Sequence, residues 1–131
     1  MKYLLDTSVC VQVLRGQPAA VRQFAELGPE SAALASMTVA ELRYGELNGD
    51  TRAAAHEPLA TFLDAFTILP FDRQAAEHHA LGRLALARAG TPIGERDLMI
   101  ASTALAHGLK VATANAREFR RVPGLDVEEW A

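Results

Sequence analysis

The sequence predicts an α/β domain with a mostly parallel central sheet of about five strands. Three observations carry this expectation. Tyr3-Leu4-Leu5 is a short apolar run without alternation, the pattern of a strand buried on both faces of a parallel sheet. Strand-like and helix-like segments alternate from there to the end of the chain. No internal repeat, linker or low-complexity tract interrupts them, so residues 1–131 read as a single domain.

The first strand ends abruptly at Asp6, and Thr7 or Ser8 can then cap an apolar helix from Val9 to Leu14 that stops at Gly16. Pro18 suits the first turn of a second helix, which runs to about Leu27 before Gly28-Pro29 breaks it. Ala32 to Ala35 forms the second strand. Ser36 to Glu41 opens a helix that contains Leu42, Tyr44 and Leu47 and stops near Asn48-Gly49. Asp50 can cap the next helical stretch, in which Pro58 marks a kink or a fresh start and which ends near Phe66. Ile68 to Phe71 is the third strand, and Pro70 places it at a sheet edge. Asp72 caps a long helix through Ala89, closed by Gly90. Thr91 to Gly94 turns into the most strongly helical apolar run, Leu98 to His107, terminated by Gly108. Leu109 to Ala112 makes the fourth strand. Ala114-Asn115 turns into a short basic helix, Ala116 to Arg121, and Pro123-Gly124 precedes a last short strand around Leu125 to Trp130.

A chain of 131 residues is long enough to bury roughly two-thirds of the surface that its unfolded form exposes. Hydrophobic residues at 50% and charged residues at 22% are ordinary for a soluble globular protein. No apolar run reaches the ~18 residues of a membrane span, and the N-terminus reads as a strand rather than a signal peptide. The net charge of −3 gives no sign of a polybasic binding surface, so any nucleic-acid partner must be held by local patches. Cys10 is the only cysteine, lies in an apolar helical run and reads as core, which fits a reducing cytoplasm.

Acidic residues fall where strand ends meet helix starts: Asp6, Glu41, Asp97 and Glu118, with Asn115 beside the last. The carboxyl ends of parallel strands share one edge, so the topology gathers these acids on one side of the sheet. Carboxylates brought together repel, and a hard divalent ion with oxygen ligands resolves that cost. His and Cys are absent from the set, which argues against zinc. Structural alternatives exist for each acid. Asp6 can be a helix cap, and Thr38-x-x-Glu41 and Asn115-x-x-Glu118 both match capping boxes. Asp97 and Glu95 suit the positive end of their helix. The histidines form no ligand set: His78 and His79 face different directions, and His56 and His107 sit at helix ends.

Four separated blocks, in order and over nearly the whole chain, resemble the PIN domain in its VapC toxin form. They are Leu4-Leu5-Asp6-Thr7, Thr38-Val39-Ala40-Glu41-Leu42-Arg43-Tyr44-Gly45, Pro92-Ile93-Gly94 with Asp97-x-x-Ile100-Ala101, and Thr113-Ala114-Asn115-Ala116-Arg117-Glu118-Phe119 running on to Val122-Pro123-Gly124-Leu125. The resemblance implies a three-layer fold of sheet between helices. It also implies a metal-dependent endoribonuclease of a toxin–antitoxin pair, acting in the cytoplasm on structured RNA such as tRNA. A cognate VapB-type antitoxin would hold it inactive, and it would form a homodimer. By block, Asp6, Glu41 and Asp97 match the family's metal-binding acids. Two residues depart from the pattern: Ser8 stands where Asn is common, and Asn115 stands where many PIN domains carry a fourth acid. Glu118, one turn later, is expected to supply that charge, with Asn115 orienting a water or a phosphate.

Such acids would support phosphodiester hydrolysis, since bound Mg²⁺ or Mn²⁺ acidifies a water and neutralises charge on the scissile phosphate. The hydroxyls of Ser8, Thr38 and Thr113 are candidates for holding waters or a phosphate oxygen. Arg43 and Arg96 flank the acidic blocks, and Arg117, Arg120 and Arg121, clustered on one short helix, are the favoured RNA contacts. Val11, Leu14, Phe24, Leu27, Leu47, Leu59, Phe62, Leu63 and Phe66 exceed what one small sheet needs, and are expected in part to line a groove for an antitoxin helix. An arginine of that helix would compete with the metal at Asp6 or Asp97. A haloacid-dehalogenase-like phosphatase is excluded by Ser8, where a second Asp is required. A receiver domain lacks its acidic pair, and no Gly-rich phosphate loop occurs. The remaining alternative is a PIN-fold RNA- or protein-binding module without nuclease activity.

Overall fold

A computed structural model describes residues 1–49 and 59–130. The expected cap at Asp50, the break at Pro58 and His56 lie outside the described residues. The chain runs β1 (Tyr3–Leu5), α1 (Thr7–Leu14), α2 (Pro18–Leu27), a 3-10 turn (Pro29–Ser31), β2 (Ala32–Ala35) and α3 (Ser36–Leu47). It continues through α4 (Leu59–Asp64), β3 (Thr67–Leu69), α5 (Arg73–Ala89), α6 (Glu95–His107), β4 (Lys110–Thr113), α7 (Ala116–Phe119) and β5 (Val127–Glu129).

The strands form a five-stranded sheet in the order β3-β2-β1-β4-β5, and every pairing is parallel. Leu4 pairs with Ala33 on one side and Val111 on the other, so β1 is the central strand. Both of its faces are covered, which is why its residues are uninterruptedly apolar. β3 is an edge strand, as Pro70 predicts, and ends one residue before it.

Tyr3, Leu5, Leu34 and Ala112 face one hydrophobic layer with Leu14, Leu42, Phe62 and Trp130. Leu4, Ala33, Ala35 and Val111 face the other, with Leu86, Leu98, Ile100 and Phe119. The alanines of β2 let helices approach closely on both sides. Leu4, Leu5 and Leu34 are completely buried, and each such side chain contributes about 1.5–3 kcal/mol. Phe24, Phe62 and Phe66 pack in tilted contacts at centroid separations of 5.0, 5.6 and 6.3 Å.

The expected surplus of apolar helical residues is therefore corrected for most of the set, although Val11 also lines a groove between α1 and α3. Leu14, Leu59, Phe62 and Phe66 are core, and Val11, Phe24, Leu27 and Leu63 pack against it. Only Leu47 of that set is strongly exposed, at 68%. Cys10 is buried, and His79 is engaged by Glu95 at 2.9 Å. Among the described residues no helix is long and apolar enough to cross a membrane.

Helix ends follow local chemistry, with three differences from expectation. The cap of α1 is Asp6 itself, whose side chain accepts from the Val9 N–H, and neither Thr7 nor Ser8. α3 starts directly from β2 at Ser36, with Ala35 as its cap and no side-chain cap bond, so the Thr38/Glu41 capping box does not form. Asn115 caps α7 likewise without a side-chain bond, and that helix ends at Phe119, ahead of Arg120 and Arg121. α5 matches its expected limits, capped by Asp72 and closed by Gly90 at φ 70°, where a left-handed turn favours glycine.

Candidate active site

The connection from β1 leads to one side of the sheet, while β4 lies on the other, so the carboxyl ends of β1 and β4 form the switch point of the fold. Asp6 and Thr113 stand there. Asp6 is only 4% exposed. Its Oδ1 accepts from the Val9 N–H at 3.0 Å and from the Ser8 hydroxyl at 2.6 Å. Its Oδ2 accepts from the Thr113 hydroxyl at 2.5 Å. Thr113 in turn accepts from the Asn115 N–H at 2.8 Å, and Ser8 accepts from the Ala114 N–H at 3.1 Å. The β1–α1 turn and the β4–α7 turn are thereby clipped together around one carboxylate.

Burial raises the Asp6 carboxyl above its ordinary range. The hydrogen bonds from Ser8, Thr113 and Val9 work against that rise, and the negative charge of Glu41 adds to it. Glu41 lies in the second turn of α3. Its Oε1 accepts from the Thr7 hydroxyl at 2.6 Å, and Oε2 lies 3.6 Å from Arg96 Nη1. Thr38 is fully buried, with its hydroxyl 3.4 Å from that of Thr7.

Asp97 sits half-buried in the first turn of α6. Its carboxyl is pushed up to about 6, first by burial, then by a hydrogen bond with Glu118, and further by the charges of Asp6, Glu118 and Glu41. That environment places the four expected acids in one electrostatic cluster. The donor set is all hard oxygen, without His or Cys, and suits Mg²⁺ or Mn²⁺ rather than zinc. The oxygens of Asp6 and Glu41 are turned toward hydroxyls and Arg96, and Asp97 is hydrogen-bonded with Glu118. Among the described residues no three Asp, Glu, His or Cys side chains stand at the spacing of a formed ligand set.

Of the arginines favoured from the sequence, Arg117 is exposed on α7, while Arg120 lies 3.7 Å from Glu129 and Arg121 donates to the Pro92 carbonyl at 3.1 Å. These three do not share one helix. Arg43 pairs with Glu46 on the surface of α3. Thr7 and Arg96, the direct partners of Glu41, carried little weight in the sequence. The signal available was position, since each adjoins a site acid, Asp6 and Asp97.

The PIN domain family model matches residues 3–125. The tRNA(fMet)-specific endonuclease VapC of Salmonella typhimurium is 38% identical over 133 residues, spanning 99% of this chain and 98% of its own. Among solved structures, DNA-bound VapBC from Salmonella typhimurium matches with a TM-score of 0.86 at 37% identity, covering 100% of this chain and 99% of that one. VapBC2 from Rickettsia felis, bound to a DNA fragment from its promoter, matches with a TM-score of 0.83 at 30% identity and covers 100% of both chains.

Proposed function

This chain belongs to the PIN-domain family, in its VapC branch, and from that premise we propose that it acts through Asp6, Glu41, Asp97 and Glu118 around Mg²⁺ or Mn²⁺. It is an endoribonuclease, the toxin of a toxin–antitoxin pair, and its substrate is structured RNA such as tRNA. The observation that supports the site assignment best is the environment of Asp97, where burial and three neighbouring carboxylates hold a proton up to about pH 6. A structural cap has no need of such company. A cluster that must accept a divalent cation does.

When bound, the ion supplies an acidified water and positive charge facing the scissile phosphate. The chain's own residues prepare that step. Thr113, Ser8 and the Val9 N–H fix both oxygens of Asp6, so its orientation is set before any ligand arrives. Asp97, raised to about 6 first by burial and then by its hydrogen bond with Glu118, would give up its proton more readily once an ion is held there. Glu41, now held by Thr7 and Arg96, would be a further ligand for the ion. Arg117 offers an exposed cation to the RNA backbone beside Glu118.

A VapB-type antitoxin is the partner that silences the enzyme, and an arginine from it would compete with the metal at Asp6 or Asp97. Assembly as a homodimer belongs to the same reading, and the exposed Leu81 and Leu84 on α5 support it. The test is RNA cleavage by the purified chain with Mn²⁺, with Mg²⁺ and with EDTA, alongside Asp6→Asn. Cleavage is expected only with a divalent ion, and Asp6→Asn is expected to lose it. Cleavage that persists in EDTA refutes the metal role, and tight RNA binding with no cleavage under any ion returns the reading to a binding module.

A further inference from the structure

We propose that the groove between α1 and α3 is a nucleotide subsite flanking the scissile bond, in which Tyr44 stacks on a base and Arg96 holds the adjoining phosphate. The proposal rests on the nuclease reading above and extends it to the substrate. The groove has a volume of about 650 Å³ and opens beside Glu41, lined by Thr7, Val11, Met37, Ala40, Tyr44 and Arg96. Met37, Ala40, Glu41 and Tyr44 recur at spacings of three and four along α3, so one helical face carries both the site carboxylate and the groove wall. Whatever enters the groove is continuous with whatever sits on the acids.

Two features define the occupant. Tyr44 is 68% exposed one turn beyond Glu41, an aromatic residue open to water next to a charged site. Every nucleobase has a π-face to lay on such a ring, with an apolar floor of Val11, Met37 and Ala40 beneath. At the head of the groove, the Arg96 guanidinium lies 3.6 Å from Glu41 on a side chain that is 72% exposed, so it is free to move to an incoming anion. A phosphate adds a second anion for that cation, whereas an apolar peptide segment would bury the Arg96–Glu41 pair and offer neither side chain a new partner. As RNA enters, Arg96 would pass from Glu41 to the phosphate, which would free a Glu41 oxygen to help hold a divalent ion.

The test is fluorescence anisotropy with a short random-sequence oligoribonucleotide and with total tRNA, in an Asp6→Asn background that leaves RNA intact. Tyr44→Ala is expected to weaken RNA binding about tenfold, the scale of one lost stacked base, and Tyr44→Phe to restore it. Arg96→Gln is expected to weaken RNA binding while lowering the Mn²⁺ concentration needed for thermal stabilisation of the otherwise native chain, because a competing cation has been removed. Tyr44→Ala should leave that Mn²⁺ response unchanged. RNA affinity that stays within about twofold in Tyr44→Ala, a loss that Tyr44→Phe fails to restore, or an Arg96→Gln variant that changes neither response overturns the proposal. Loss of antitoxin binding in Tyr44→Ala with unchanged RNA affinity assigns the groove to a protein segment instead. Cleavage by the wild-type chain is measured in parallel, so that failure of the nuclease reading is seen separately from failure of the subsite.

Discussion

Removing the titratable group at Asp97 should flatten the pH dependence of stability in the metal-free protein. The Asp97 carboxyl lies at about 6 against an ordinary 3.8. Folded chains therefore keep this proton to higher pH than unfolded ones, so folding takes up protons across that window. Stability is then present below about pH 4 and lost as pH rises through about 6. A displacement of this size corresponds to about 3 kcal/mol at full strength. Asp97 is only half-buried, and solvent screening reduces the expected loss to about 1–2 kcal/mol. For a chain of 131 residues that is a fall in Tm of roughly 4–8 °C. The assay is thermal unfolding in EDTA from pH 4 to pH 8, wild type against Asp97→Asn. Other acids contribute their own slopes, and the difference between the two proteins isolates this one. Saturating Mn²⁺ should reverse the wild-type trend, since the ion binds only the deprotonated set. Parallel curves for wild type and Asp97→Asn would refute the electrostatic cluster.

Three further outcomes are expected. Glu118→Gln should shift the Mn²⁺ dependence of cleavage strongly, and Asn115→Ala should act mainly on rate; the reverse pattern in a metal titration would hand the fourth ligand position to Asn115. Thr113→Val leaves a buried carboxylate oxygen without its 2.5 Å donor and should cost about 1–3 kcal/mol in urea unfolding, with Thr113→Ser recovering most of it. Leu4→Ala, in the middle of the central strand and fully buried, should cost about 2–5 kcal/mol with an unchanged m-value.

The architecture was legible because it is written in local chemistry. Uninterrupted apolar runs marked β1 and β2, and Gly90 and Gly108 marked helix ends that the structure places at left-handed turns. The nearness of the acids was legible because parallel topology alone brings strand ends together, and Asp97 feels the charges of Asp6, Glu118 and Glu41. The site hydroxyls were legible too, but not their partner: Ser8 and Thr113 donate to Asp6, where waters or a phosphate oxygen were expected. Thr113 becomes the last residue of β4 only because the strand shifts one residue beyond its apolar core, and its partner Asp6 is 107 positions away. The capping-box alternative at Thr38-x-x-Glu41 falls away, since β2 runs straight into a helix and Glu41 turns to Thr7. The basic cluster failed for a similar reason, since the helix closes at Phe119 and each later arginine finds a different neighbour.

Asp6 explains why the pocket is built from hydroxyls. A carboxylate at the switch point of a doubly covered sheet is desolvated, and Glu41 adds repulsion. Against this stand the N-terminal end of α1, with its positive dipole, and three short donors. The balance still leaves the carboxyl raised, so the charge is held in place without being satisfied. A lysine or arginine in direct contact would have neutralised Asp6 and locked it shut. Ser8 and Thr113 orient the same oxygens while adding no charge, and Arg96 is set against Glu41, on a long exposed side chain that can leave. The fold thus tolerates the buried acid in the apo form and gains most when a cation arrives. Replacing Thr113 by lysine should accordingly abolish the response to Mn²⁺, at a cost in stability because the position is fully buried and its hydroxyl serves both Asp6 and the Asn115 N–H.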